Sequence, residues 1–342
     1  MELSQLKIIA EIGVNHNGSD ELVELMTVLA AKAGADAIKY QFFSPDHLVS
    51  ATAPMAEYQS ANLGLAISQR EMLSKISISK EALRRCKNLC DELGLEFICT
   101  AFDSPSLEFV SELGVNILKW PSGEINNLPF LEQAADLGLP IIISTGMSDD
   151  AEISEAIGVC MSAGLRSEDL ILLHCTSQYP TPSESANIFS IPHMKQKFNL
   201  RTGFSDHTLG NEAAVLAVAA GADIFEKHIT LSTLMEGPDH KASLDIAGLE
   251  AYIDAIKEAE AICGTFEKRC FPIEASTRVI ARKSIHIAQD ISKGEEFTAD
   301  SIVIQRPGDG IAPKELENIL GRKAARNLKA GNKLELEDIE QT

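Results

Sequence analysis

The side chains best suited to chemistry in this sequence lie at the ends of short apolar runs. The stretch "IFEKHI" (224–229) is typical, because three ionisable residues stand within an apolar strand-like segment. Burying such groups costs several kcal/mol each unless they are paired or bind a metal. Eight apolar runs end in polar residues, which favours one shared site over eight separate exits into water. These residues are Glu11, Asn15, His16, Asn17, Lys39, Gln41, Thr100, Lys119, Ser122, Glu124, Ser144, Thr145, the segment 174–179, Ser205, Asp206, His207, Lys227 and His228.

The basic members of this set are Lys39, Lys119 and Lys227. Cations accompanied by hydroxyl and backbone N–H donors suit a phosphate or a carboxylate. Each lysine alone could equally form a structural salt bridge, and a barrel lysine also suits Schiff-base aldolase chemistry. A Schiff-base lysine needs an apolar pocket that lowers its pKa, so three lysines among hydroxyls favour a bound anion. The accompanying hydroxyls are Ser122, Ser144, Thr145 and Ser205.

Two histidines, His207 and His228, end the last two apolar runs. Two imidazoles together with a carboxylate or water suit a divalent metal. Asp239 and Glu11 are available as oxygen ligands or as hydrogen-bond partners of the imidazoles. The competing interpretation is a pair of hydrogen-bonded core histidines, which is the commoner role of a single strand histidine.

The elements that must position these residues alternate between strand and helix patterns. Helix-like segments fill most of the gaps, and several end in Gly, a common residue after a helix C-terminus. Eight strand–helix units over about 260 residues predict a parallel (β/α)₈ TIM barrel, with an open doubly wound sheet as the rival. The predicted strands are 7–13, 36–42, 95–100, 116–122, 140–145, 170–175, 201–207 and 223–229.

Strand alternation divides the residues of "EKH" between two faces. Glu226 and His228 share one face, so we expect His228 to face the barrel lumen as a metal ligand. Glu226 would then lie one layer deeper, beside buried cations. Lys227 must point between the strand and the helices, so it is left out of the predicted anion site.

The chain divides into a barrel over residues 1–265, a linker over 266–282 and a small β-rich domain over 283–342. The connection 43–79 after the second strand is long, and such loops are often functional lids or arms. The last segment contains short strands and turns such as "KGE" and "AGN". This composition is typical of compact β-structure rather than of disorder.

Composition limits the classes of function. The formal net charge of −20 argues against nucleic acid and anionic membranes as partners. No apolar run reaches the ~18 residues needed to span a bilayer, and we expect no signal peptide. The seven cysteines are scattered without a zinc-finger spacing, which is typical of a reducing cytoplasm.

A series of motifs, in order along essentially the whole chain, resembles the sialic acid synthases. This family includes the N-acetylneuraminate synthases and the N,N′-diacetyllegionaminate synthases. Any one of the motifs is weak, but the ordered series is specific. The motifs are "AEIGVNHNG" (10–18), "KYQ" (39–41), "KWPSGEI" (119–125), "STGM" (144–147), "LLHC" (172–175), "YPTP" (179–182), "GFSDHTLG" (203–210), "EKH" (226–228), "EGPDHKAS" (236–243) and "RPGDGI" (306–311).

The resemblance implies a (β/α)₈ barrel followed by an antifreeze-like (SAF) domain. It implies a condensation of phosphoenolpyruvate with the open-chain aldehyde of a 2-acetamido sugar, dependent on Mn²⁺ or Mg²⁺, with release of phosphate by C–O cleavage. It also implies a homodimer in which the small domain of each subunit caps the barrel of the other.

The resemblance also implies roles for individual residues. Glu124 is expected near the reacting carbon and Glu11 near the metal or its water, as the catalytic carboxylates. His207 and His228 would hold the metal. The expected phosphoenolpyruvate ligands are Lys39, Lys119, Ser122, Ser144, Ser205 and Arg282. The expected sugar contacts are Gln41, Tyr179, Asp239 and, from the partner subunit, Arg306.

The segment after "LLHC" departs from the family. Relatives commonly read Asn-Thr-Glu where this chain has Thr176, Ser177 and Gln178. The missing Glu charge leaves the acceptor preference open, whereas Tyr40 in place of the usual Phe is expected to affect packing only. "ATAPMAEYQ" (51–59) is similar to neuraminate synthases and "EGPDHKAS" to legionaminate synthases. The expected acceptor is N-acetylmannosamine, with 2,4-diacetamido-2,4,6-trideoxymannose as the alternative.

Three other functions compete with this one. A Schiff-base aldolase would use a barrel lysine as its nucleophile. A related synthase could use a phosphorylated sugar, although the predicted acceptor side lacks a second phosphate-binding cluster. A non-catalytic carbohydrate- or ice-binding protein is suggested by the antifreeze-like domain, but it would not need the polar strand ends.

Overall fold

The fold is described by a computed structural model, and the residues that the structure describes are 7–50, 53–54 and 68–341. Eight parallel strands among them are β1 Ile8–Gly13, β2 Ala37–Phe42, β3 Glu96–Ala101, β4 Leu118–Trp120, β5 Ile141–Ser144, β6 Leu170–His174, β7 Arg201–Asp206 and β8 Phe225–His228. Each strand pairs with the next, and β8 pairs with β1 to close the barrel. The predicted TIM barrel is confirmed, and the open sheet is wrong.

Helices connect the strands. The first helix is capped by Ser19, whose hydroxyl accepts a hydrogen bond from the Leu22 N–H, and it ends before Gly34, which has a φ of 94°. The helices described in this unit are α1 Asp20–Ala33, α2 Pro45–Leu48, α3 Gln69–Lys75, α4 Lys80–Leu93, α5 Ser104–Glu112, α6 Leu128–Ala135, α7 Asp150–Ser162, α8 Ser190–Phe198, α9 Glu212–Ala219 and α10 Ile246–Cys263.

The alternation of strand side chains gives the barrel two separate apolar cores. In β1, Ala10 and Ile12 face the helices and pack in one cluster with Met26 of α1. Ile9 belongs to a second cluster that fills the lumen. A packed lumen is expected for an eight-stranded barrel, and it confines chemistry to the ends of the strands. The second cluster contains Ile9, Ala37, Ile98, Ile117, Ile142, Ile171, Leu173 and Ile224.

The long connection after β2 contains the short helices α2 and α3. Met72 and Leu73 of α3 form a small buried cluster with Val14 and Phe43, which lie beyond the ends of β1 and β2. This part of the connection therefore lies at the carboxyl-end rim of the barrel. Most of "ATAPMAEYQ" lies outside the described residues.

The chain folds as two compact units, Met1–Gly264 and Thr265–Thr342. The second unit contains the antiparallel pair β9 Ser284–Ile287 and β10 Ile302–Gln305, with its own core around Ile285 and Phe297. Its helices are α11 Ala275–Ala281, within the predicted linker, and α12 Leu316–Ile319. No helix among the described residues is long and apolar enough to cross a membrane.

Candidate active site

A layer of polar side chains lies directly above the apolar filling of the lumen. Six of the seven members stand two residues after a residue of the lumen cluster, as Glu11 stands after Ile9 and Lys119 after Ile117, and Ser205 stands two residues after Gly203. All are buried, at 5% exposure or less. The two-residue period of a strand therefore places this layer at the carboxyl-end rim. The layer consists of Glu11, Lys39, Thr100, Lys119, Ser144, Ser205 and Glu226.

Lys39 and Glu226 form the centre of the layer. Lys39 Nζ donates to Glu226 Oε1 at 2.9 Å and lies 3.6 Å from Glu11 Oε2. Gln41 Nε2 donates to Glu11 Oε1 at 2.8 Å. The lysine is thus held between two carboxylates from neighbouring parts of the barrel wall.

Lys119 lies on the other side of Glu226. Its Nζ is 3.9 Å from Glu226 Oε2 and donates to Ser144 Oγ at 2.6 Å. Ser205 Oγ donates to Glu226 Oε1 at 2.9 Å. Two cations and the hydroxyl of Ser205 therefore converge on one buried carboxylate, and the hydroxyl of Ser144 holds the second cation.

The carboxylates and lysines of this cluster differ in the direction of their pKa shifts. Burial alone would raise the pKa of Glu226, but Lys119 and Lys39 lower it to about 2. Burial raises the pKa of Glu11 to about 7, although Lys39 opposes the shift. Burial lowers the pKa of Lys119 to about 8, whereas Glu11 and Glu226 keep the pKa of Lys39 above its usual value against the effect of burial. Near neutral pH, Glu226 carries the negative charge and Glu11 is poised to exchange a proton.

His207 and His228 lie beside this cluster, with ring centroids 5.6 Å apart. His207 Nδ1 donates to the carbonyl oxygen of Thr176 at 2.7 Å, which fixes the tautomer of a neutral ring. Burial lowers the pKa of His207 to about 4 and that of His228 well below its usual value. The ring of Tyr179 packs against both, at 4.1 Å and 5.4 Å between centroids.

The chemistry of these two rings fits a divalent metal. Ser205 gives its single proton to Glu226, so the Nε2 lone pair of His207, 3.3 Å from that hydroxyl, is available. His228 Nδ1 is buried with no hydrogen-bond partner in the described structure. Within residues 7–50, 53–54 and 68–341, no three His, Cys, Asp or Glu side chains gather to hold a metal by themselves. The remaining ligands would then be water or substrate oxygens.

Several other buried polar atoms at the rim make no hydrogen bond to any described residue. Such atoms are rare in folded proteins, because each costs about 1–3 kcal/mol when it is left unpaired. Their concentration at the carboxyl-end rim indicates that a polar ligand completes this site. They are Asn15 Oδ1, Thr100 Oγ1 and Asp239 Oδ1, together with Glu11 Oε2 and Glu226 Oε2, which lie 3.6 Å from Lys39 Nζ and 3.9 Å from Lys119 Nζ without a hydrogen bond.

Comparison with known proteins agrees with this geometry. The model of the NeuB family matches residues 26–268, and that of the SAF domain matches residues 282–340. The chain belongs to the NeuB family. Both the predicted family and the predicted SAF domain are confirmed.

Individual relatives of this NeuB-family chain are named synthases. The N,N′-diacetyllegionaminic acid synthase of Legionella pneumophila is 42% identical over 335 residues, covering 97% of this chain and 94% of that protein. The synthase of the same name from Campylobacter jejuni is 38% identical over 322 residues, covering 94% and 96%. The crystal structure of the N-acetylneuraminic acid synthetase of Leptospira borgpetersenii, in complex with citrate, has a TM-score of 0.70 and 32% identity, and covers 80% of this chain and 90% of that one. The chain is therefore an enzyme of the sialic acid synthase type, which leaves the non-catalytic alternative without support.

The contact network of this NeuB-family barrel joins many of the predicted site residues. It runs without a break from Gln41 through the carboxylates and lysines to the two histidines. Residues that it brings together are Glu11, Lys39, Gln41, Lys119, Ser144, Tyr179, Ser205, His207 and His228.

Other predicted residues lie apart from the network. Ser122 is within hydrogen-bond distance of Ser177, at 3.2 Å between hydroxyl oxygens. The carboxylate of Glu124 accepts from Asn127 Nδ2 at 2.7 Å on the surface. Asp239 is buried in the loop after β8, where burial raises its pKa to about 6. The roles given to these residues stay predictions.

Two predicted residues belong to the second unit. Arg306 is exposed, and its Nε donates to the carbonyl oxygen of Ala281 at 2.8 Å. Arg282 is exposed and directly follows helix α11. Their expected contacts with substrate stay predictions.

The side chains of "EKH" point to the faces that strand alternation predicts. His228 lies at the rim, Glu226 lies below it among the cations, and Lys227 leaves the lumen to pair with Asp206 at 3.0 Å. The sequence pattern predicts Glu226 only as a partner of cations and does not place it in the site, although it is the carboxylate on which the lysines converge. Its position two residues before His228 on the same face is the signal that could have placed it in the site.

Proposed function

We propose that this enzyme condenses phosphoenolpyruvate with 2,4-diacetamido-2,4,6-trideoxymannose and water, giving N,N′-diacetyllegionaminate and phosphate by C–O cleavage. One observation carries the proposal: two buried lysines and two neutral histidines meet at the same rim of the barrel. The lysines suit the anionic donor, and the histidines suit a metal beside the acceptor aldehyde.

The lysine cluster is suited to phosphoenolpyruvate by its charge. With Glu11 protonated, Lys39 and Lys119 oppose the single charge of Glu226, so the buried cluster carries a net positive charge. The attraction between a bound anion and these cations is stronger there than in water, because the buried surroundings screen charges poorly. Ser144 and Ser205 provide hydroxyls beside the same cations, and Ser122 and Arg282 are the further ligands that we propose for the donor.

We propose that His207 and His228 hold Mn²⁺ or Mg²⁺. The bound ion would supply Lewis-acid polarisation of the acceptor aldehyde. The protein fixes the His207 ring for this task through Thr176, and Tyr179 packs against both imidazoles.

The residues of the chain suggest how the reaction proceeds. Lys39 and Lys119 hold the donor so that its C3 faces the aldehyde carbon, which lowers the entropic cost of bringing the two together. C3 bonds to the aldehyde carbon, whose oxygen takes up a proton. Glu124, and Glu11 once it has given up its proton, stabilise the positive charge that develops at C2 of the donor. Water then adds at C2 and phosphate leaves. Glu11, with a pKa of about 7, is matched to proton transfer during these last steps near neutral pH.

The choice of acceptor follows the relatives. The sequence favoured N-acetylmannosamine, but the two relatives at 42% and 38% identity are diacetyllegionaminic acid synthases. N-Acetylmannosamine is the second candidate, supported by the Leptospira synthetase at 32% identity. Gln41, Tyr179 and Asp239 would contact either sugar. Arg306 would reach its N-acetyl group from the partner subunit of a homodimer with exchanged C-terminal domains.

A Schiff-base aldolase is the chemical rival for the same lysines. The lowered pKa of Lys119 is the feature that suits it. Against it, Lys119 donates to Ser144 and faces Glu226, and Lys39 is held as a cation between two carboxylates. Borohydride with substrate would trap a Schiff base covalently, and we expect no such adduct.

The proposal is tested by supplying phosphoenolpyruvate and Mn²⁺ with a panel of 2-acetamido and 2,4-diacetamido hexoses. We expect phosphate release and a product heavier than its acceptor by one pyruvic acid, fastest with the 2,4-diacetamido sugar. A higher kcat/KM with N-acetylmannosamine would favour the second candidate. Release with neither sugar would remove both.

A further inference from the structure

An ion pair on the outer face of the barrel is not used by the proposed chemistry. Lys227 of β8 and Asp206 of β7 are directly opposite each other in the strand register, and Lys227 Nζ lies 3.0 Å from Asp206 Oδ2. Their side chains are 1% and 0% exposed. The ring of Tyr252, from helix α10, lies 5.4 Å from Lys227 Nζ and closes the site from outside.

Both members of this pair also form hydrogen bonds to Thr208. The residue between Asp206 and Thr208 is His207. Asp206 Oδ1 accepts from the Thr208 backbone N–H at 2.8 Å and from its hydroxyl at 2.7 Å. Lys227 Nζ donates to the Thr208 carbonyl oxygen at 2.5 Å. Both neighbours of His207 are therefore linked to Lys227, Asp206 through its side chain and Thr208 through its carbonyl oxygen, although the imidazole itself points the other way.

The same pair also bears on His228. Because Asp206 and Lys227 are register partners, the residues that follow them, His207 and His228, are brought to the same level of the rim. Strand alternation turns the pair outward and the two imidazoles inward. The outer contact thus joins the two residues that directly precede the rings.

A gain in stability does not explain why a buried ion pair is present at this position. Taking two charges out of water costs about as much as their attraction returns, and apolar replacements of buried pairs are often neutral or stabilising. The hydrogen bonds of Asp206 and Lys227 to Thr208, by contrast, fix the position of this segment. Apolar residues at positions 206 and 227 would not provide such bonds. Partners that orient metal-binding histidines typically affect metal affinity or activity by about 10–100-fold.

We infer that Lys227 and Asp206 are positioning residues, which hold His207 and His228 at the separation needed to bind one divalent ion. The inference rests on the proposed function, since it concerns the same pair of histidines. It assigns to the "EKH" lysine a role outside the anion site.

The test compares three variants of the full-length protein. The double variant Lys227→Met with Asp206→Asn removes both charges, so no unpaired buried charge remains, and Asn keeps an oxygen for Thr208. The control is Arg201→Met with Asp223→Asn, which removes a partly exposed ion pair of 2.9 Å between the start of β7 and the residue two positions before β8. Thr208→Val removes a single hydroxyl bond to Asp206 and is the milder variant if the double variant folds poorly.

Two readouts are measured. We expect the Mn²⁺ dissociation constant, from electron paramagnetic resonance, to rise about 10–100-fold in the double variant and less in Thr208→Val, and to change less than about twofold in the control. In metal-free protein, ¹⁵N-histidine spectra should show one fixed tautomer for His207 in wild type and averaged ring signals in the double variant.

Wild-type Mn²⁺ affinity together with an unchanged His207 tautomer in the double variant would overturn the inference while leaving the proposed function intact. Equal losses in the control would also overturn it, because any disturbance of the β7–β8 pair would then be sufficient. If wild type bound no Mn²⁺, the proposed metal site would fail, and the metal-free spectra would still decide whether the pair positions His207.

Discussion

At the scale of single residues, the site is governed by how two carboxylates share one lysine. Glu226 and Glu11 both approach Lys39, at 2.9 Å and 3.6 Å. Glu226 is also opposed by Lys119, so its ionised form is the more favoured of the two. Glu11 is left as the carboxyl group that exchanges its proton near neutral pH. The division of roles follows from the second lysine and not from burial, which is complete for both.

The Glu11→Gln variant should change the pH dependence of stability. The pKa of Glu11 is raised from 4.5 to about 7 by folding, so the folded protein binds the extra proton between these values. Its stabilising contribution is present below about pH 4.5 and is lost as the pH rises through 7. Relative to wild type, the free energy of unfolding of the variant should increase by up to about 3 kcal/mol as the pH rises from 4.5 to 8.

Urea unfolding in the presence of EDTA at several pH values measures this difference. Glu81→Gln, at an exposed position of α4, serves as the control and should stay parallel to wild type. A Glu11→Gln curve that also stays parallel to wild type would show that Glu11 does not hold the proton.

The His228→Ala variant should lose metal and rate together. We expect Mn²⁺ affinity and kcat each to fall by more than about 100-fold, because loss of an outer partner of a ligand already costs 10–100-fold. Isothermal titration after chelator treatment gives the affinity, and phosphate release gives the rate. His193→Ala on the exposed side of α8 is the control. Normal activity of chelator-treated His228→Ala would mean that this histidine is not a ligand.

At the scale of elements, the strands were predictable from the sequence and the loops were not. The eight predicted strands overlap the observed ones. Burial of a strand leaves an apolar run with a polar end, and this pattern lies within a few consecutive residues of the sequence. The position of Asp239 depends on contacts between loops after β1 and β8. Asn17 Nδ2 donates to the Glu236 carbonyl oxygen at 2.9 Å, and His240 Nε2 lies 3.1 Å from Asn17 Oδ1. Such pairings join residues more than 200 positions apart, and no local pattern specifies them.

The Gly237→Ala variant should disturb this junction. A Cβ at position 237 would lie 2.5 Å from His240 Cδ2 and 2.8 Å from Asn17 Oδ1. The loop that carries Asp239 must then move, so we expect the KM of the acceptor sugar to rise about tenfold or more, since small displacements at a site are costly. The KM of phosphoenolpyruvate should change little.

Steady-state kinetics with each substrate varied in turn measure this effect. Gly158→Ala within α7, where no described heavy atom lies within 4 Å of the added Cβ, is the control and should be more stable by roughly 0.5–1 kcal/mol. Equal increases of both KM values would indicate a general distortion of the barrel rim.

At the scale of the whole molecule, the family resemblance implies an active site completed by a second subunit. The barrel unit contains the lysines, carboxylates and histidines, whereas Arg306 belongs to the unit Thr265–Thr342. A sequence contains no direct signal of which subunit supplies such a residue, because either arrangement satisfies the same motifs. The proposed exchange of C-terminal domains therefore needs its own test.

Mixing two inactive variants should restore activity if Arg306 acts on the partner's barrel. After subunit exchange between His228→Ala and Arg306→Ala, half of the dimers are mixed and each has one intact composite site, so about a quarter of the sites should be active. Arg322→Ala replaces Arg306→Ala in a control mixture. No recovery in spite of verified exchange would place Arg306 beside the barrel of its own chain.

The chemistry as a whole is tested by ³¹P NMR with phosphoenolpyruvate labelled with ¹⁸O at the bridging oxygen, Mn²⁺ and 2,4-diacetamido-2,4,6-trideoxymannose. C–O cleavage at the lysine cluster predicts inorganic phosphate that carries the ¹⁸O isotope shift and forms only when the sugar is present. Unlabelled phosphate, with the label retained in the sugar acid, would show that the P–O bond breaks. The absence of any phosphate with either candidate sugar would show that this barrel does not perform the condensation.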